Sequence, residues 1–296
     1  YGGLRASIFT DNIQMIVIGI MLLIAFYNSL IISASSFSTK QFIMYSSKVL
    51  VILWFFYSAQ AKIYNHTHNK CSNNISGVWK NKWFQPNNCH LHKFTSLEVV
   101  QCFKKKRIAL AGDSLLRNLG GHIAKLMDSK ATYKKTWGNQ FFPHINLFTY
   151  WTPSVYFQQI SNYNYDIIVV SMCAWDMGTY YKGYLKYKQS LTSVLKKIKS
   201  KFKGRLILFL LHKIYPDTQG CDKKCKEFNS HHRANRFRLI QIQVAKDLNV
   251  EMFDTYSITN TKFARKDSQD AVHYKYSVTH METQMLLNKI CNYNTV

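Results

Sequence analysis

The chain has 296 residues, enough for one substantial globular domain and a smaller additional segment. Hydrophobic residues make up 47% of the sequence and charged residues 18%, with 12 Gly and 4 Pro, so the composition excludes a disordered or low-complexity protein. The 39 Lys and Arg against 15 Asp and Glu give a formal net charge of +24. That charge points either to an acidic partner, such as a nucleic acid, an anionic membrane or an acidic glycan, or to a biased base composition of the genome.

Two apolar stretches lie near the amino terminus. Residues 13–33 carry no charge and are long enough to cross a bilayer, which predicts a transmembrane helix within residues 1–43. Residues 49–61 are too short to span and end in Ala59-Gln60-Ala61, with Lys48 just upstream. This layout predicts that residues 44–61 form either a signal peptide or a membrane anchor.

The first fourteen residues carry a Gly-Gly-Leu-x-Ala stretch followed by Thr-Asp and then Gln14. This stretch resembles the start of one membrane helix in sodium/solute symporters. One helix cannot form a midplane transport site, which needs several helices in repeats. We therefore interpret residues 1–43 as a symporter fragment joined to a secretory protein that begins at Met44.

Cysteines and glycosylation sequons indicate the compartment of the remaining chain. All seven cysteines follow residue 61, and sequons stand at Asn65 and Asn74. Together they predict an oxidising compartment, with some cysteines paired and Cys173 free in the core. Cys221 and Cys225 fit a short-loop disulfide, a metal pair or neither. A metal site is disfavoured, because the sequence has no second cysteine or histidine pair at ligand spacing.

From Lys105 onward, short apolar runs alternate with segments of helical periodicity, which predicts an α/β domain over residues 62–296 with a parallel sheet covered by helices. The predicted strands are residues 108–111, 166–171, 205–211 and 250–254. The predicted helices lie around residues 115–126, 185–199, 237–248 and 278–290. Such a sheet places its functional loops at the carboxyl ends of the strands.

Two short motifs follow these elements. Gly112-Asp113-Ser114 stands where the first strand ends and a helix begins, so the Ser114 hydroxyl is expected at a helix amino terminus. Asp270 and His273 precede the last helix, three residues apart. A nucleophilic serine needs a base, and the base needs an orienting carboxylate. Together the motifs predict a Ser114, His273 and Asp270 catalytic set.

These motifs carry a family resemblance. Gly-Asp-Ser-x-x-Arg from Gly112 to Arg117, Asp-x-x-His from Asp270 to His273, and residues 83–89 with Cys102 resemble the PC-esterase families of the SGNH/GDSL superfamily. The carboxyl-terminal segments are most similar to neurexophilin-and-PC-esterase proteins. The PC-esterase families also include the sialate O-acetyltransferase domain. The resemblance runs from about Cys71 to Cys291 and implies a three-layer α/β/α domain.

The resemblance also implies an acyl-enzyme route. Ser114 would attack an acetyl donor, such as acetyl-CoA or an acetylated intermediate, with no cofactor or metal bound. A carbohydrate hydroxyl or water would then receive the acetyl group. In the superfamily, a Gly and an Asn on later loops complete the oxyanion hole. In this chain Ser171 stands at the position where that Asn is expected. Candidates for oxyanion or substrate contact are Gly112, Asp113, Arg117, Gly138, Ser171, Trp175 and Asp176.

The predicted function is therefore a carbohydrate O-acetyltransferase or acetylesterase of the secretory pathway, in the Golgi lumen or outside the cell, attached to a membrane through its amino-terminal segment. The alternative is a catalytically weak extracellular protein of the same fold that binds acidic glycans through its basic surface. No nucleic-acid module is present in the sequence, so no nucleic-acid partner is expected.

Overall fold

The computed structural model of the protein describes residues 71, 75–127, 140–142, 147–151, 160, 164–180 and 183–291, all within one compact unit of residues 68–296. The predicted transmembrane and signal segments, the sequons at Asn65 and Asn74, and Gly138 lie outside these residues. Within the described ranges, no helix combines the length and the apolar character that crossing a membrane requires.

The described chain begins with a small hairpin and then alternates strands and helices. The hairpin strands are β1 (Gly77–Lys80) and β2 (Trp83–Pro86). The strands of the main sheet are β3 (Ile108–Gly112), β4 (Gln140–Phe142), β5 (Leu147–Trp151), β6 (Ile167–Ser171), β7 (Arg205–Phe209) and β8 (Glu251–Phe253). The helices are α1 (Ser96–Lys104), α2 (Ser114–Met127), α3 (Asp176–Thr179), α4 (Tyr184–Lys201), α5 (Lys223–Phe228), α6 (His231–Asp247), α7 (Tyr256–Thr259), α8 (Lys262–Asp267) and α9 (Tyr276–Cys291).

The main sheet has the order β4-β5-β3-β6-β7-β8, in which five strands are parallel and β4 pairs antiparallel at the edge. Every residue of β3 and β6 is buried, as expected for central strands covered on both faces. The predicted α/β fold with a parallel sheet is confirmed.

The chain leaves β3 in one direction and continues from β6 in the other. The connection through α2 leads to β5, whereas the connections through α4 and α6 lead to β7 and β8 on the opposite side of β3. Because such crossovers are right-handed, a reversal of direction places the helices on opposite faces. Accordingly, α1, α2 and α9 pack together, and α4 packs on α6. Open α/β sheets bind their ligands at the carboxyl ends of the strands where the direction reverses, which here is between β3 and β6.

Strands β4 and β5 and the hairpin were absent from the sequence prediction. Strand β5 lies between the predicted first and second strands in the chain and pairs with β3, and β4 pairs with β5. The sequence of β5, Leu-Phe-Thr-Tyr-Trp, has the aromatic and β-branched residues of a strand but only one aliphatic side chain. It therefore lacks the aliphatic run that marks β3, β6 and β7.

Three disulfides join six of the seven cysteines: Cys71–Cys89, Cys102–Cys291 and Cys221–Cys225. Cys173 is free and buried, as predicted. Three disulfides in one domain indicate an extracellular or secretory-pathway compartment. The Cys102–Cys291 bridge ties α1 to the end of α9, so it closes most of the domain into one loop.

We predict that Gly112→Ala lowers the free energy of unfolding by about 1–3 kcal/mol, because an added Cβ meets rigid backbone. That Cβ would stand 2.7 Å from the Ser171 carbonyl oxygen on the neighbouring strand. Urea unfolding measures the change. Gly178→Ala in α3 is the matched control, because its nearest heavy atom is Phe228 Cδ1 at 4.0 Å. Equal stabilities of the two variants would contradict the close approach of β3 and β6.

We predict that replacing Cys102 and Cys291 by serine destabilises the domain by about 5 kcal/mol, since the bridge closes a long loop of the unfolded chain. The two cysteines are 189 residues apart. The control is the double serine variant of Cys71 and Cys89, which are 18 residues apart and should lose only about 3 kcal/mol. Thermal unfolding under non-reducing conditions compares them, and a larger loss in the control would refute the loop-length argument.

Candidate active site

Ser114 lies at the carboxyl end of the central strand. Strand β3 ends at Gly112, and Ser114 is the first residue of α2, with 5% of its surface exposed. The Asp113 carboxylate fixes the turn between them: Oδ1 accepts the Leu115 N–H at 3.0 Å, and Oδ2 accepts the Ala174 N–H at 3.2 Å. The turn that presents Ser114 is therefore tied to the loop that follows β6.

Asp270 and His273 lie on the loop before α9, and the loop is closed on itself. The Gln269 N–H donates to the His273 carbonyl at 2.8 Å, next to an isolated bridge between Ser268 and Tyr274. Ala271 adopts a left-handed backbone conformation with φ of 73°. The loop thus turns sharply enough to bring Asp270 and His273 to the same side.

Three side chains converge at this place. His273 Nε2 lies 2.6 Å from Ser114 Oγ, and His273 Nδ1 lies 2.8 and 2.9 Å from the two oxygens of Asp270. Nδ1–H donates to the carboxylate, which leaves Nε2 as the acceptor for the Ser114 hydroxyl. The arrangement can remove the hydroxyl proton as the oxygen attacks an electrophile.

Hydrogen bonds keep Asp270 ionised. Burial raises the pKa of the Asp270 carboxyl, but the His273 imidazole and the backbone N–H groups of Val272 and His273 outweigh burial and hold the pKa below its usual value. Those N–H groups stand 3.3 and 2.8 Å from Oδ1. Asp270 therefore stays negative at neutral pH and orients the imidazole.

Asp113 lies in the opposite electrostatic situation. Complete burial raises the pKa of its carboxyl to about 6, against the lowering effect of two backbone N–H bonds and of His273 and His212. Its two oxygens already accept the backbone N–H groups of Leu115 and Ala174. We therefore assign Asp113 a structural role in the turn and not a role among the reacting side chains.

The other predicted residues differ in how deeply they are buried. Ser171 ends β6, buried beside Gly112, and Arg117 lies half-buried in the first turn of α2. Asp176 is fully buried at the start of α3, while Trp175 beside it is 48% exposed. The Ala174 N–H is occupied by Asp113, so it is not a donor for a developing oxyanion.

Sequence reasoning missed the segment after β7, which is hydrogen-bonded to the loop that carries Asp270. The Tyr215 N–H donates to the Ala271 carbonyl at 2.9 Å, and Thr218 Oγ1 accepts the Ala271 N–H at 2.9 Å. His212 Nε2 lies 2.8 Å from the Val272 carbonyl oxygen. The only sequence signal was a histidine directly after an apolar strand, a position that a core residue also occupies.

One curated protein and several solved structures are similar to this chain. No family model matches the chain. A curated protein of Danio rerio, N-acetylneuraminate (7)9-O-acetyltransferase, is 33% identical over 95 residues, which is 31% of this chain and 12% of that protein. The matched part is therefore a small share of that longer protein.

Several solved structures are also similar to this chain. A GDSL-like lipase of Bacteroides thetaiotaomicron has a TM-score of 0.47 at 12% identity, covering 63% of this chain and 88% of its own. A lipase/acylhydrolase of Enterococcus faecalis has 0.44 at 13%, covering 63% and 96%. A carbohydrate acetylesterase family member of Sinorhizobium meliloti has 0.41 at 11%, covering 63% and 100%.

We predict that Asp113→Asn changes how stability depends on pH. Between the ordinary pKa of 3.8 and the folded value of about 6, the folded protein binds more protons at Asp113 than the unfolded chain does, so this group's contribution to stability falls as pH rises. From about pH 3.5 to about pH 6.5, the wild type should lose about 3 kcal/mol relative to the variant.

Urea unfolding across this pH range measures the difference. The control is Asp247→Asn, which changes an exposed carboxylate on α6. Parallel curves for the wild type and Asp113→Asn would contradict the raised pKa of Asp113.

Proposed function

We propose that this protein is a serine-dependent acyltransferase or esterase that moves or hydrolyses acetyl groups on carbohydrate. The observation that carries the proposal is the 2.6 Å contact between Ser114 Oγ and His273 Nε2, with Nδ1 of the same ring on the Asp270 carboxylate. A serine hydroxyl held against an oriented imidazole is the arrangement of a covalent nucleophile.

The reaction has two half-steps. In the first, Ser114 Oγ attacks the acetyl carbonyl carbon while its proton passes to His273 Nε2, and that proton then leaves with the donor's alcohol or thiol group. In the second, a sugar hydroxyl or water gives its proton to Nε2 and attacks the acetyl-enzyme. The proton returns to Ser114 Oγ as the product ester or acetate leaves. Asp270 stabilises the imidazolium formed in each half-step.

Three further observations support the substrate class and the compartment. The motifs around Ser114 and His273 resemble PC-esterases, and the curated relative is named for acetyl transfer to N-acetylneuraminate. Three disulfides favour the secretory pathway.

Labelling with a fluorophosphonate probe tests the nucleophile in the full-length protein in mild detergent. We expect one labelled residue, Ser114, in the wild type and no labelling of Ser114→Ala. His273→Ala should label at least about 100-fold more slowly, because it lacks the general base. Mass spectrometry of the labelled peptide identifies the site.

Ser200→Ala is the matched control, because this exposed serine on α4 donates to the Lys197 carbonyl. It should label at the wild-type rate. A folded wild type that does not label, or a Ser114→Ala variant that does, would overturn the nucleophile assignment and favour the glycan-binding alternative. Acetyl-CoA and acetylated sugars, offered with and without an unmodified sugar acceptor, then separate transfer from hydrolysis by the product formed.

A further inference from the structure

His212 and Glu282 form a buried pair behind the loop that carries Asp270 and His273. His212 follows β7 and is 2% exposed, and Glu282 lies on α9 and is 3% exposed. His212 Nδ1 stands 2.8 Å from Glu282 Oε1, and His212 Nε2 stands 2.8 Å from the Val272 carbonyl oxygen. Thr255 Oγ1 donates to the same Glu282 oxygen at 2.7 Å.

These contacts determine where the protons are. A carbonyl oxygen only accepts, so His212 Nε2 carries a proton. A carboxylate oxygen also only accepts, so His212 Nδ1 donates to Glu282 Oε1, which accepts from Thr255 Oγ1 as well. Both ring nitrogens are protonated, and the pair is a buried imidazolium with a carboxylate.

The groups that face His212 agree with this charge state. Burial lowers the pKa of His212, but the charge and hydrogen bond of Glu282 on α9, the Val272 carbonyl and the charge of Asp113 before α2 raise the net value above the ordinary one. The Tyr274 ring packs edge-on against the His212 ring, with the ring centroids 4.9 Å apart. The charge of Glu282 also acts on His122 on α2, where it raises the pKa against the larger lowering effect of burial.

One peptide plane connects this pair to the candidate active site. The Val272 carbonyl and the His273 N–H belong to the same planar peptide group, so fixing one orients the other. The carbonyl accepts from His212 Nε2, and the N–H donates to Asp270 Oδ1 at 2.8 Å. The plane is therefore held by His212 at one end and by the orienting carboxylate at the other.

We propose that His212 is a positioning residue for the proposed acyl transfer: it holds the Val272–His273 peptide so that Asp270 and His273 keep their geometry toward Ser114. The proposal rests on the proposed function. Glu282 is the partner that keeps both His212 nitrogens protonated and the ring in place, and Thr255 keeps the Glu282 carboxylate in place.

Two amide variants separate positioning from packing. In His212→Gln the side-chain amide nitrogen can occupy the place of Nε2 and donate to Val272, whereas in His212→Asn the shorter side chain matches Nδ1 and does not reach Val272. Either change alone leaves the buried Glu282 carboxylate without its charged partner, which is strongly destabilising. Both are therefore made together with Glu282→Gln, which removes the charge from both double variants. The Gln side chain then keeps the reach toward Val272, whereas the Asn side chain keeps only the reach toward position 282.

We expect the His212→Gln, Glu282→Gln protein to label with fluorophosphonate within about 10-fold of wild type, and the His212→Asn, Glu282→Gln protein to label on the order of 100-fold more slowly, as a misplaced reactive group does. Their thermal unfolding midpoints should be similar. His232→Gln and His232→Asn are controls on an exposed histidine of α6 and should leave the labelling rate unchanged.

A second readout does not depend on chemistry at Ser114. The ¹H–¹⁵N NMR correlation of the His273 Nδ1–H reports its bond to Asp270 directly. We expect it to be unchanged in the Gln double variant and shifted or lost in the Asn double variant. If the wild type does not label but the correlations differ in this way, the proposed function fails and the positioning role stands. Identical correlations and labelling in both double variants would overturn the positioning role.

Discussion

The peptide group between Val272 and His273 links the two halves of the candidate site. Its N–H binds Asp270 and its carbonyl binds His212, so its orientation couples the loop before α9 to the end of β7. The loop has no strand or helix of its own to hold it, only a bridge between Ser268 and Tyr274. Tyr215 donates to the Ala271 carbonyl, and Thr218 Oγ1 accepts the Ala271 N–H. The left-handed conformation of Ala271 costs of order 1 kcal/mol. The surrounding hydrogen bonds offset that cost.

Several buried polar groups form hydrogen bonds that bear on this loop. His212, Glu282, Thr255 and Asp113 are all less than a tenth exposed, and each makes hydrogen bonds to groups that bear on the site. Burying an ion pair seldom adds stability over apolar packing, and breaking one is costly. Such a pair instead specifies one arrangement of the chain, because any other leaves a charge unpaired. Stability comes from elsewhere, from the fully buried central strands and from a disulfide that closes most of the domain.

The sequence allowed prediction of the features that depend on local pattern. Aliphatic runs marked β3, β6 and β7, and parallel strand ends share one edge, so Ser114 was expected near a loop from the far end of the chain. Strand β5 was missed because its aromatic-rich sequence lacks an aliphatic run, although it pairs directly with β3. His212 and Glu282 were missed for a different reason. They are 70 residues apart, and each looks ordinary until the fold places them 2.8 Å from one another.

The two carboxylates nearest Ser114 have different tasks because their surroundings shift their pKa values in opposite directions. Asp113 is fully buried, and burial outweighs its two backbone bonds, which raises its pKa to about 6. Asp270 has 45% of its side chain exposed, and the His273 imidazole and two backbone N–H groups hold its pKa below the ordinary value. Only Asp270 is therefore ionised over the whole neutral and mildly acidic range. Because hydrogen bonds and not burial set that state, the charge that orients His273 depends on the geometry of the loop backbone. In the proposed reaction, the residues that hold the loop would thereby influence the proton transfer at Ser114 without touching it.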